Sequence, residues 1–268
     1  MKTLAIFSVP RSGSSWLGNI FNSSNEVNFK FQPNFAYSFP YNLTPNSTKK
    51  EIYNFHSHLL SCKDPFVNGE LSISGKKNKN FDTNSTPKLL VWKEVHYLNI
   101  MENLMTQSNI KIIGLIRSPL GIINSWLQAP KEFDPNWSIK KEWKNAPSKN
   151  GLDNKNYFGY AAWKETCFNM LKLSIDFPNN FTICSYNQLI SDPFEITKNL
   201  FEFANLNYSK EVKSYINKST SNQDNDPYST NKIKLKDDSW EKGLPKYIIE
   251  DIQNDPNFKS LNKIFNWI

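Results

Sequence analysis

The chain opens with an apolar, β-compatible run, Thr3 to Val9, which breaks at Pro10-Arg11-Ser12-Gly13. From Ser14 to Ser23 the apolar residues Trp16, Leu17, Ile20 and Phe21 recur at helical spacing. The pattern predicts a buried strand, a tight turn and a helix. It then dissolves from Asn22 to about Pro87 into Asn, Ser, Pro and aromatic residues. One helix stands out there, Lys49 to Leu60, with Ile52, Phe55 and Leu59 on one face. Periodicity returns with a strand at Lys88–Trp92, an amphipathic stretch at Tyr97–Met105 and a strand at Ile110–Ile116. Pro119 suits the first turn of the next helix, whose apolar face is Ile122, Ile123, Trp126 and Leu127. After a Pro/Trp/Lys-rich stretch, Ala129 to Asn156, come a long helix at Tyr157–Asp176, a strand at Phe181–Tyr186 and a helix at Phe194–Ala204. An asparagine-rich loop follows Ser219 to about Lys236, and a helical tail ends the chain.

Strands alternating with helices predict an α/β fold with a central parallel β-sheet flanked by helices. The 268 residues fit a single domain, 1–268, with loop-rich excursions at about 28–87 and 129–156. In such a sheet ligands bind beyond the carboxyl ends of the strands, so the residues that follow each strand carry the chemistry.

Composition narrows the partners. With 32 Lys and Arg against 25 Asp and Glu, the net charge is +7, which favours an anionic partner. The densest basic cluster is Lys76, Lys77 and Lys79, and no basic helix interleaved with aromatics marks a nucleic-acid reader. The cysteines Cys62, Cys167 and Cys184 are odd in number and form no CxxC pair, which points to a reducing, cytoplasmic setting. No run approaches the roughly 18 apolar residues of a membrane span. His56 and His58 are two apart on a helix, where side chains diverge, so they read as surface residues and not as metal ligands.

Two segments carry candidate chemistry. Pro10-Arg11-Ser12-Gly13-Ser14-Ser15-Trp16 joins a strand to a helix N-terminus. Free N–H groups and the helix dipole make such a junction an anion site. Gly13 admits close approach, Ser14 and Ser15 add hydroxyls, and Arg11 adds a permanent cation. The GxxxxGK[ST] pattern of nucleoside triphosphate loops is absent. The second segment is Gly114-Leu115-Ile116-Arg117-Ser118-Pro119, with Ser125 eight residues after Arg117. A strand-end arginine and a serine two helical turns on are placed to converge on one phosphate.

These two segments, in this order, resemble the sulfotransferases that use 3'-phosphoadenosine 5'-phosphosulfate (PAPS). The likeness is closer to carbohydrate, tyrosylprotein and bacterial members than to cytosolic phenol-type ones. It implies a P-loop-like sulfotransferase fold and PAPS as co-substrate, with no metal. Arg11, Ser12, Gly13, Ser14, Ser15 and Trp16 would hold the 5'-phosphosulfate, and Arg117 and Ser125 the 3'-phosphate. Tyr186, in Tyr186-Asn187-Gln188-Leu189 ahead of Asp192-Pro193, would lie close to the adenine. Arg11 would stabilise the bridging oxygen and Lys93 would touch the sulfuryl oxygens.

The general base stays open between His96 and Glu94 in Trp92-Lys93-Glu94-Val95-His96. Relatives with a glutamate shortly after the first helix have no counterpart here, because Gln32 stands at that place. The acceptor would be a small molecule, a glycan or a glycolipid. The aromatics Phe29, Phe31, Phe35, Tyr37, Phe39 and Tyr41 would either fill core or face that acceptor. Two rivals remain: a P-loop nucleotide kinase or other phosphotransferase, and an inactive protein that binds the product nucleotide, 3'-phosphoadenosine 5'-phosphate (PAP).

Overall fold

The computed structural model describes residues 1–37, 39, 42–70, 87–151, 155–221, 224, 226–231, 233 and 236–268. Tyr41 and the cluster Lys76, Lys77 and Lys79 lie outside the described residues. The strands are β1 (Lys2–Phe7), β2 (Val27–Phe31), β3 (Leu89–Glu94), β4 (Lys111–Ile116) and β5 (Phe181–Ser185). They form one sheet in the order β2-β3-β1-β4-β5, and every pair is parallel. The first helices are α1 (Ser14–Asn22), α2 (Lys49–Ser61), α3 (Met101–Gln107), α4 (Pro119–Leu127), α5 (Ile139–Asn145) and α6 (Pro147–Asn150). The chain continues with α7 (Gly159–Asp176), α8 (Tyr186–Ser191), α9 (Pro193–Ala204) and α10 (Lys210–Ser221). It closes with α11 (Trp240–Gly243), α12 (Lys246–Asn254) and α13 (Pro256–Phe265).

The side chains of each central strand alternate between two apolar layers. Ala5, Phe7, Leu90, Trp92 and Ile112 pack with Phe55, Leu104, Trp163 and Phe258 on one face. Leu4, Ile6, Val91 and Ile113 pack with Leu17, Ile20, Leu189 and Phe201 on the other. Because both faces are covered, these strands read as continuous apolar runs, which is why they were legible.

Three expectations need correction. The stretch from about 28 to 87 begins in the sheet: Val27, Phe29 and Phe31 of β2 are buried, and Lys30 between them is buried as well. Lys30 Nζ donates to Asn68 Oδ1 and to the Cys62 carbonyl, and this polar lid disguised a short edge strand as loop. The stretch from 129 to 156 holds α5 and α6. His56 is half-buried and not a plain surface residue: its ring lies 5.5 Å from Phe55 and 6.1 Å from Trp92, with Nε2 buried and unpartnered among the described residues.

β1 is the central strand. The chain leaves it to one side for β2 and β3 and returns to the other for β4 and β5. The carboxyl ends of β1 and β4 therefore border the point where the connections part, the usual ligand crevice of an open parallel sheet. Among the described residues no helix is long and apolar enough to cross a membrane.

Candidate active site

A cavity of about 660 Å³ opens at this point, lined from the turns after β1, β3 and β4, from α8, and from the segment 227–230. The turn after β1 is built from unusual backbone. Arg11 has φ 67° and Gly13 has φ 91°, and Ser12 Oγ donates to the Val9 carbonyl at 2.8 Å to close the loop. Gly13 caps α1 without a side-chain hydrogen bond, and the first turn holds no acidic residue. The Trp16 N–H bonds back to the Gly13 carbonyl at 3.0 Å, while those of Ser14 and Ser15 have no hydrogen-bond partner among the described residues and are left for an anion. A Cβ on Gly13 would sit 2.5 Å from a ring carbon of Tyr186, so only glycine lets this loop lie against that ring. Trp16 is pinned from α10, its indole N–H donating to Ser219 Oγ at 2.9 Å.

The second anion segment meets the first through Arg11. Arg11 Nε donates to Ser125 Oγ of α4 at 3.2 Å, and Arg117 Nη1 donates to the Arg11 carbonyl at 2.7 Å. Arg11 also reaches the Pro227 carbonyl at 2.7 Å and Glu132 Oε2 at 3.6 Å. Burial lowers its pKa, and Glu132 opposes that shift. The guanidinium of Arg117 lies 4.7 Å over the Tyr186 ring. It forks Asp237 at 2.7 and 2.6 Å. Burial alone would lower the Arg117 pKa, but Asp237 raises it, so the charge is fixed. Tyr186 itself opens α8 instead of ending β5.

At the end of β3 the side chains divide. Lys93 is buried with Nζ 3.5 Å from Ser15 Oγ and 4.1 Å from the Phe31 ring centre. Burial pulls its pKa down, against the pull of Glu94 and Glu132. Glu94 faces the other way and is not among the residues that line the cavity. Its carboxylate accepts backbone N–H groups from Asn34 at 3.1 Å, Val95 at 2.9 Å and His96 at 3.1 Å. Burial raises its pKa, opposed by those donors. His96 lines the cavity, stacked on Phe35 at 4.1 Å, with Nδ1 2.8 Å from Asn156 Oδ1. Burial lowers its pKa to about 4, so the ring is neutral at pH 7.

A family model described as the sulfotransferase domain matches residues 2–268. The chain belongs to the PAPS-dependent sulfotransferase family. Carbohydrate sulfotransferase 3 of Tetronarce californica is 22% identical, covering 94% of this chain and 70% of that one. The sulfotransferase domain from the curacin biosynthetic pathway superposes with a TM-score of 0.58 at 18% identity, covering 100% of this chain and 98% of that one. Mouse sulfotransferase SULT7A1 complexed with PAP gives 0.56 at 11% identity, with 98% and 88% covered.

In this sulfotransferase the cavity gathers Arg11, Gly13, Ser14, Ser15, Trp16, Lys93, His96, Arg117, Ser125 and Tyr186. Ser12 lies outside it, buried, with its hydroxyl spent on the loop. Gln32 lines the wall but is an amide, which takes no proton at neutral pH. Of the aromatic series, Phe29, Phe31 and Phe39 are core, while Phe35 and Tyr37 border the cavity. Sequence reasoning missed Asp237, Tyr228, Glu132 and Asn156. All lie in polar stretches rich in similar residues, where no local pattern singles one out. Among the described residues no group of three or more His, Cys, Asp or Glu is placed to hold a metal ion.

Proposed function

We propose that this enzyme transfers a sulfuryl group to a hydroxyl, or an amine, of a carbohydrate or glycolipid acceptor. PAPS supplies that group in activated form, with a nucleotide phosphate as leaving group. The single observation that carries the reading is the Arg11–Ser125 hydrogen bond at 3.2 Å. It joins the two anion loops into one wall, and Lys93 and His96 face the same cavity.

The open N–H groups at the start of α1, with Ser14 and Ser15, hold the 5'-phosphate end, and the glycine-only contact between Gly13 and Tyr186 gives the nucleotide a flat seat. Arg117 and Ser125 hold the 3'-phosphate. Arg11 neutralises charge building on the bridging oxygen, and Lys93 on the sulfuryl oxygens. His96 takes the acceptor's proton; its lowered pKa keeps the ring in the proton-accepting form. Glu94 acts as a brace for the turn that carries His96.

Support for the acceptor class comes from Phe35 and Tyr37 at the cavity wall, which offer ring faces to a sugar. It comes also from the carbohydrate sulfotransferase relative. Free Cys62, Cys167 and Cys184 fit a cytoplasmic setting.

Calorimetric titration with PAP, 5'-AMP and ATP with magnesium tests the reading, on wild type and Arg117→Ala. PAP binding far above 5'-AMP and lost in the variant supports it, and a screen of glycan and glycolipid acceptors with labelled PAPS follows. Binding of ATP without PAP overturns it in favour of phosphotransfer.

A further inference from the structure

A histidine accepts a proton only at a ring nitrogen that carries a lone pair, so its tautomer decides whether it can work. His96 Nδ1 lies 2.8 Å from Asn156 Oδ1. The amide is oriented from its other side. Asn156 Nδ2 donates to the Lys149 carbonyl at 3.0 Å, and a carbonyl only accepts, so the amide oxygen is the atom turned to the ring. That oxygen is itself only an acceptor. Nδ1 therefore carries the hydrogen, and Nε2 keeps the lone pair.

The frame around this contact is firm. The Tyr97 N–H donates to the Lys155 carbonyl at 3.0 Å, tying the two segments together at the residues next to His96 and Asn156. Phe35 stacks on the ring with 14° between planes, which limits its rotation. The Lys155 backbone carbonyl, next to Asn156, is a second acceptor for the ring. The charges that act on it are Lys93 from β3 and Lys149 from α6, while the neighbouring carboxyl group of Glu94 is bound to the His96 backbone N–H.

We propose that Asn156 is a positioning residue that locks His96 as the Nδ1–H tautomer and presents Nε2 to the acceptor. The inference rests on the reading of His96 as the base. As the acceptor oxygen bonds to sulfur, the bond from sulfur to the nucleotide oxygen breaks and its electron pair leaves with the nucleotide. The hydroxyl proton passes to Nε2. Asn156 Oδ1 then faces the Nδ1–H of a cationic ring, a stronger hydrogen bond than the neutral ring makes.

Long-range proton–nitrogen spectra of the full chain labelled with ¹⁵N-histidine test this. With three histidines, His96→Gln identifies the signal. Turnover of labelled PAPS, with water as the acceptor, is measured beside it. Wild type is expected to show His96 protonated at Nδ1. Asn156→Ala should move the hydrogen to Nε2 and lower turnover about tenfold or more at similar KM for PAPS. Asn156→Asp should restore the Nδ1–H form and most of the turnover. Its carboxylate favours the imidazolium, so the acid limb of the pH profile should move to higher pH. A wild-type ring protonated at Nε2, or a tautomer unchanged in Asn156→Ala, overturns the proposal. Wild-type turnover in His96→Gln sinks the assignment of the base instead, whatever the spectra show.

Discussion

Asp237 forks one edge of the Arg117 guanidinium, with oxygens 2.7 Å from Nε and 2.6 Å from Nη2, and both side chains are buried. Gly121 makes room for the pair, because a Cβ there would collide with the Asp237 carboxylate and crowd Arg117 Nε. The proposed 3'-phosphate ligand thus already carries an internal anion, 120 residues away in sequence. Three of its five N–H donors are engaged, two by Asp237 and one by the Arg11 carbonyl.

Removing Asp237 should expose this relationship. Asp237→Ala leaves Arg117 buried without a counter-ion, and breaking a buried pair from one side costs about 3–5 kcal/mol. The melting temperature is expected to fall sharply. PAP brings a dianionic phosphate to the same guanidinium, so it should raise the melting temperature of the variant more than that of wild type. Differential scanning fluorimetry with and without PAP reads both effects. Equal shifts in the two proteins would mean that the 3'-phosphate does not reach Arg117.

Gly13 supplies a second prediction. Gly13→Ala must hold a left-handed φ of 91° and set its methyl 2.5 Å from the Tyr186 ring. Backbone strain of this kind costs about 1–3 kcal/mol, and the ring must also move from its place under Arg117. PAP affinity is expected to drop about tenfold or more, with the fold retained. Titration calorimetry on the variant, with circular dichroism as the control for folding, checks it. Undiminished PAP affinity would take the loop out of nucleotide binding.

What the sequence disclosed, and what it hid, follows from how local each feature is. The turns after β1 and β4 are short segments whose function rests on neighbouring residues: a glycine, hydroxyls and a strand-end arginine. Their pattern survives in the linear chain. The buried central strands showed as unbroken apolar runs. β2 did not, because Lys30 sits inside it and is satisfied by Asn68, which is distant in sequence. Asp237 and Asn156 act through partners 120 and 60 residues away, in stretches crowded with Asp and Asn. His56 looked polar on its helix and is packed beside Trp92 because α2 turns that face to the sheet. Likewise Glu94 stood beside His96 as a candidate base, and only the fold shows its carboxyl group turned to three backbone N–H groups and absent from the cavity lining.

Both limbs of the pH profile of turnover should lie at lower pH than the ordinary histidine and lysine values, because burial disfavours the charged form of each group. A base must be unprotonated, and His96 is pulled to about 4, so the acid limb of kcat/KM should fall near that pH and not near 6.5. Lys93 must be protonated to face the sulfuryl oxygens. Burial lowers its pKa, so activity should be lost as pH rises, before the ordinary lysine value of 10.5 is reached. His96→Gln should cost about a hundredfold or more in kcat and remove the acid limb. Lys93→Met should remove the basic limb. An acid limb near 6.5 would show that the ring is better solvated than its stacking on Phe35 implies.

His56 makes stability, separately from activity, depend on pH. Its folded pKa is lowered from 6.5 to about 4 by burial, and its Nε2 has no partner among the described residues. Above about 6.5 the ring is neutral in both folded and unfolded chains and contributes no pH dependence. As pH falls through that value the unfolded chain binds a proton that the folded one refuses, so stability falls with pH. The loss is complete near pH 4, where the folded ring also protonates, and amounts to about 3 kcal/mol for this one group. His96 adds a loss of the same sign over the same window. His56→Phe keeps an aromatic ring beside Phe55 and Trp92 and deletes the titration. Urea unfolding at pH 7 and pH 5 should therefore show a smaller difference for His56→Phe than for wild type. An unchanged difference would mean that His56 is protonated inside the fold, and that α2 parts from Trp92 to admit water to it.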